Sequence, residues 1–187
     1  VEGPGFPRAI DGETVAGRRF PVAQLVASPL ECAQHVYGVR PVHTQEPPMI
    51  TKPRENVVIR LVCYHCGFGI PLTNASSEGD LAFLSQLARW SKISPGRLWI
   101  WTWNTDFDNF VLPWPDYYSV GPNTRTFVEH GVTGAYQEGN FMAYVGDLQE
   151  MKSWVGQKIL WDPSQSDTEL ITQFLRGWFC GDTRLAA

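Results

Sequence analysis

RLWIWTWNTDFDNFVLPWPDYY, residues 97–118, is the stretch whose placement decides the fold. Side chains alternate across a strand, so Trp99, Trp101 and Trp103 share one face while Leu98, Ile100, Thr102 and Asn104 share the other. Bulk on both faces is the pattern of a parallel strand buried on each side. The polar residues 104–109 and the Pro113-Trp114-Pro115 lock that follow read as a decorated loop at the strand's C-terminal end. The indoles are expected against a helix layer, with Thr102 and Asn104 facing inward and Asp106 at the rim.

Working outward, Val57–Val62 is a β-branched run of strand length with Arg60 at its centre, either an ion-paired core residue or a ligand contact. Residues 80–91 predict a helix, because Leu81, Leu84, Leu87 and Ala88 form one apolar stripe before Ser94-Pro95-Gly96 breaks it. Residues 122–130 predict a short helix, with proline near its start and Gly131 fitting the left-handed position beyond its end. Residues 132–137 predict a further strand. Asp147 and Glu150 have capping-box spacing ahead of the stripe Leu148, Met151, Val155 and Ile159, and Asp162-Pro163 stops that helix. Ser166 and Glu169 repeat the spacing before Leu170, Phe174 and Trp178. From Val57 onward the order is therefore strand, helix, strand, helix, strand, helix, helix, which predicts an α/β fold with a parallel sheet.

Residues 1–56 differ from the rest. They hold eight of the fourteen prolines and little periodicity, with a short apolar piece at 20–26 and a helical turn expected around 31–37. This segment reads as an irregular Pro/Gly-rich stretch, part of the main fold or an arm that binds another chain, and 57–187 as the folded portion.

The composition excludes several classes. A net charge of −4 without a Lys/Arg run gives no footprint for nucleic acid. No apolar stretch approaches the roughly 20 residues that span a bilayer, which argues against membrane insertion. No glycine-rich phosphate loop follows any strand, so no nucleotide cofactor is expected. Cys63 and Cys66 have C-x-x-C spacing, but a zinc site needs further ligands and the sequence has no second such pair, so no metal is expected. The four cysteines, Cys32, Cys63, Cys66 and Cys180, read instead as packed or paired. Asn74-Ala75-Ser76 is a glycosylation sequon, and with the cysteines it leans toward a secreted or extracellular glycoprotein. The eight tryptophans serve either a ring-rich core or a platform on which sugar rings stack.

In parallel α/β folds the chemistry sits at the C-terminal strand ends. There this chain carries Tyr64 and His65 after the first strand, Asn104, Asp106 and Asp108 after the second, and Gln137, Glu138 and Asn140 after the third. Carboxylates, amides and one imidazole among aromatic rings suit a carbohydrate. Arg60, Trp114 and Tyr118 complete the candidate binding set, with Phe107 and Tyr117 as further rings. Glycoside hydrolysis uses a carboxylic acid to protonate the leaving oxygen and a carboxylate as nucleophile or base. Glu138 is the candidate acid and Asp106 its partner.

The segments 58–63, 83–84, 90–93, 98–107, 112–115, 121–123, 131–139 and 160–163 together resemble the domain of unknown function 4838 (DUF4838) family, over about two-thirds of the chain. That family is similar to glycoside hydrolases with (β/α)8 barrels. The resemblance implies that the chain supplies the later βα units of an incomplete TIM-like barrel, with the missing half or other subunits as partners. It also implies acidic residues where Thr102 and Gln137 stand, whereas the carboxylates here are Asp106 and Glu138. The functions implied are a carbohydrate-active hydrolase, or a non-catalytic carbohydrate-binding or structural subunit of an extracellular assembly on a decayed hydrolase barrel.

Overall fold

Four strands lie parallel and in chain order in this computed structural model, which describes residues 34–37, 44–64 and 66–179. They are β1 (Gln34–Tyr37), β2 (Val57–Val62), β3 (Leu98–Trp103) and β4 (Val132–Glu138). The helices are α1 (Glu78–Ile93), α2 (Val120–Glu129), α3 (Gln149–Trp161) and α4 (Asp167–Trp178). From β2 onward the order is that expected. The helical turn expected around 31–37 is corrected, since Gln34–Tyr37 is a strand paired in parallel with Val57–Arg60 of β2. Val36 and Tyr37 suit a pleated neighbour better than an isolated turn. The apolar piece at 20–26, Cys32, His65 and Cys180 lie outside the described residues.

Local chemistry sets the helix ends. Ser77 caps α1 by accepting the Asp80 N–H at 3.1 Å, and Ser166 does the same for Glu169 of α4 at 3.4 Å. Gly131 follows α2 with φ +75°, a conformation costly for a residue with a Cβ. The capping box expected at Asp147 does not form. The residue before α3 is Leu148, in the left-handed region at φ 45°, and the Asp147 carboxylate is engaged elsewhere.

The core sits on one face of the sheet. Ile59 and Leu61 of β2, Leu98 and Ile100 of β3 and Val132 of β4 meet Phe83, Leu87 and Trp90 of α1 and Phe127 of α2. Leu61, Leu87, Leu98 and Ile100 are each 0% exposed; burying each such side chain contributes about 1.5–3 kcal/mol. On the same face, Gly156 of α3 lets Gln137 approach so closely that a Cβ there would stand 2.3 Å from Oε1. A second cluster joins Met151, Val155 and Ile159 of α3 to Leu170 and Ile171 of α4.

The indoles lie on the other face, and the expectation that they pack against helices is corrected. In register, Trp99 stands beside Arg60 and Gly134, Trp101 beside Val62 and Tyr136, and Trp103 beside Glu138. Charged and phenolic neighbours leave that face half open, whereas Leu98 and Ile100 have purely aliphatic neighbours that only a helix layer can cover. Between β3 and β4 the register shifts by one residue: Leu98 pairs with Val132, but Trp99 pairs with Gly134. Thr133 is the extra residue, its hydroxyl donating to the Leu98 carbonyl at 3.3 Å.

Candidate functional site

A cavity of about 430 Å³ opens at the C-terminal ends of β2, β3 and β4. Val62 and Tyr64 form one side, and Trp101 and Trp103 of the indole face form the floor. The loop after β3 supplies Thr105, Asp106, Phe107, Asp108 and Trp114, and β4 supplies Glu138. The rings brace one another. Tyr64 meets Trp103 edge-on at 5.9 Å between centroids, and Phe68 lies 5.0 Å from Trp103 and 5.8 Å from Trp114. Phe107, Phe110 and Phe141 continue the apolar surface past the rim, with centroids about 6 Å apart.

Three carboxylates, Asp106, Asp108 and Glu138, stand on this one cavity. The Trp101 indole Nε1 donates to Glu138 Oε2 at 2.9 Å. Indole N–H is only a donor, so Oε2 is committed as an acceptor and a proton carried by Glu138 would sit on Oε1. Asp106 Oδ1 accepts the Asp108 backbone N–H at 2.9 Å, closing a local turn that holds the carboxyl at the loop's start. Asp108 itself is exposed.

Glu138, Asp106, Asp108 and Trp114 are thus brought together, and the other candidates are elsewhere. Asn104 and Gln137 have the opposite parity and lie behind the sheet, lining with Thr102 and Asp116 a small cavity of about 20 Å³. Asn104 is buried there, its Oδ1 accepting from Gln149 Nε2 at 3.4 Å. Arg60 is on the indole face but toward the strand middle, its guanidinium 5.7 Å from the Trp99 ring and 5.9 Å from Tyr136. Tyr118 is 61% exposed and does not line the cavity. Asn140 uses its side chain to close its own turn with Met142, Ala143 and Val145. His65 lies outside the described residues. Among the described residues no group of three or more His, Cys, Asp or Glu could hold a metal ion. Cys63 and Cys66 are joined as a disulfide directly after β2, next to Tyr64.

A buried ion network behind the cavity was not anticipated. Lys152 of α3 has a side chain only 2% exposed, and its Nζ lies 2.9 Å from Asp147 Oδ2 and 3.1 Å from Asp116 Oδ1. It also donates to the carbonyls of Trp114 at 2.7 Å and Asn104 at 3.2 Å. The Tyr117 hydroxyl donates to Asp147 at 2.6 Å, so that ring serves the network and not the cavity. Burial pushes the Asp116 carboxyl up to about 6, against the pull of Lys152. Burial also acts to raise Asp147, but hydrogen bonds from Tyr117, the Trp114 N–H and Lys152 outweigh it and hold that carboxyl below its ordinary value. Tyr117 is raised, first by burial and then by its bond to Asp147. One signal was available: Lys152 lies four residues after Leu148 and three before Val155, on the apolar stripe.

The architecture is a mixed α/β domain with a parallel sheet and an aromatic, three-carboxylate cavity at the strand ends. The chain belongs to the family described as domain of unknown function (DUF4838), whose model matches residues 41–183. Searches of curated proteins and of solved structures return no match.

Proposed function

We propose that the cavity binds a poly- or oligosaccharide and that Glu138 and Asp106 form the carboxylate pair of a glycoside hydrolase. The observation that carries this reading is that both carboxylates line one cavity walled by Trp101, Trp103 and Trp114. Indole faces accept the apolar C–H faces of a sugar ring, while the carboxylates accept its hydroxyls. In the reaction, Glu138 delivers a proton from Oε1 to the glycosidic oxygen as the bond to the anomeric carbon breaks. Asp106 attacks that carbon or removes a proton from the attacking water.

Barrel parentage fits the sheet. Strands in the order β1-β2-β3-β4, without the reversal that marks a doubly wound sheet, and helix contacts on one face support a portion of a TIM-like barrel. The Cys63–Cys66 disulfide and the exposed Asn74 sequon support a secreted or extracellular location.

The test is hydrolysis of a broad oligosaccharide panel, followed by release of reducing ends. Glu138→Gln should lower the rate about a hundredfold or more while leaving binding intact. If the native protein binds sugars yet releases no reducing ends from any of them, the hydrolase reading falls. The second reading, a non-catalytic carbohydrate-binding subunit, then stands. It is favoured by one observation: an oxygen of Glu138 is already occupied by the Trp101 indole.

A further inference from the structure

We propose that Lys152 is a positioning residue for the cavity: its ammonium ties both ends of the 104–114 loop to α3 and so sets the wall that carries Asp106 and Trp114. The cavity's role as a carbohydrate site rests on the reading above; the positioning itself does not.

A buried lysine must be paired wherever it occurs, so pairing alone says nothing about a site. Here the partners are informative. Besides the two carboxylates, Nζ binds the carbonyl oxygens of Asn104 and Trp114, the residues at the two ends of the loop. Between those anchors lie Thr105, Asp106, Phe107 and Asp108, and Trp114 is itself the second anchor; these five all line the cavity. The same ion pair also takes the remaining polar group of the Trp114 backbone, because its N–H donates to Asp147 Oδ2 at 2.9 Å. Pro113 and Pro115 flank Trp114 and carry no N–H, so this is the sole backbone donor of the triplet. Both polar groups of the Trp114 backbone therefore bond to the Lys152–Asp147 pair, the carbonyl also accepting the Asp116 N–H at 2.8 Å, and the ring is directed at Phe68 and the cavity.

Charge-assisted bonds are short and strong where water is excluded, and Lys152 and Asp116 have side chains only 2% and 3% exposed. The ammonium donates to the two carbonyls at 3.2 and 2.7 Å and stands 3.1 and 2.9 Å from the carboxylates of Asp116 and Asp147. A neutral residue of similar length keeps the packing of the stem but not this clamp. Loss of the clamp is expected to free the loop while leaving the sheet core, which makes its contacts on α1 and α2, in place.

Lys152→Met alone leaves the buried Asp116 and the partly buried Asp147 without a cation and is expected to impair folding. The informative variant is Lys152→Met combined with Asp116→Asn and Asp147→Asn, which keeps the volume and removes all three charges. Two measurements on the full chain decide the matter. In hydrogen exchange, peptides covering 104–118 should exchange about tenfold faster than in the native protein, with β2, β3 and α1 unchanged. With 5-fluorotryptophan incorporated, the Trp114 resonance, identified by its loss in Trp114→Phe, should move toward the position of free fluorotryptophan while those of Trp90 and Trp99 stay. Unchanged protection at 104–118 overturns the proposal, and so does protection lost evenly across the domain, which would make Lys152 a group of general stability only. Neither readout needs a sugar, so a panel on which the native protein binds nothing would sink the carbohydrate reading and leave this result to stand or fall by itself.

Discussion

Asp116 offers a test of the buried network through pH. Its side chain is 3% exposed, and burial lifts the carboxyl from an ordinary value of 3.8 to about 6 although Lys152 stands 3.1 Å away. The folded protein therefore holds a proton on Asp116 more tightly than the unfolded chain does. Its contribution to stability is complete below pH 3.8 and is lost as pH rises through about 6. The whole loss is on the order of 3 kcal/mol. Asp116→Asn keeps the shape and removes the titration, so its stability relative to the native protein should improve by that order between pH 4 and pH 7.5. Urea unfolding at a series of pH values measures the difference, with the linear slope checking that both proteins unfold in one step. Asp147 carries the opposite dependence, stabilising above its unfolded value and less so as pH falls, but it is present in both proteins and mostly cancels. A difference between the two proteins that stays flat with pH, or that favours the native protein as pH rises, would refute the reasoning.

Two backbone predictions join the tests of Glu138 and Lys152. At Gly134 an added Cβ would stand 2.4 Å from the Trp99 indole, so Gly134→Ala should cost about 1–3 kcal/mol and alter the near-ultraviolet dichroism of the tryptophans; an unchanged melting temperature would contradict the contact. Leu148 sits at φ 45° with 44% of its surface exposed, so Leu148→Asn should gain about 0.5–1 kcal/mol in thermal or chemical unfolding, and a loss would show that its side chain matters more than its backbone.

Much of the fold could be read from local chemistry. The helices announced themselves by stripes and by Ser166 and Gly131, and the strands by β-branched or ring-rich runs. Parity separated Leu98 and Ile100 from the three indoles but did not say which set would meet the helices. The neighbouring strands held the deciding signal: Arg60 on one side and Tyr136 with Glu138 on the other share the indole face, and a charged residue is poor lining for a helix interface. Asp147 misled because its spacing to Glu150 is local, while Lys152, Tyr117 and the Trp114 N–H draw its carboxylate away through contacts more distant in the chain. Of the site, Asp106 and Glu138 were legible as strand-end carboxylates. Tyr64 was legible in the same way, by its strand-end position, whereas Trp101 and Trp103 became its floor only once the indole face was known to be open.

The extra residue Thr133 has a consequence for chemistry. Val132 and Ala135 both belong to the aliphatic core, an odd spacing that a regular strand cannot place on one face. If Thr133 instead paired regularly with Trp99 while Val132 kept its place, each later residue of β4 would stand opposite the β3 residue one position further on. The amide that now looks toward the helices, Gln137, would replace Glu138 opposite Trp103, and the carboxylate would turn to the opposite side. A single residue left out of the ladder at the base of the strand thus sets the frame in which its far end is read, and decides whether the cavity is offered an acid or an amide.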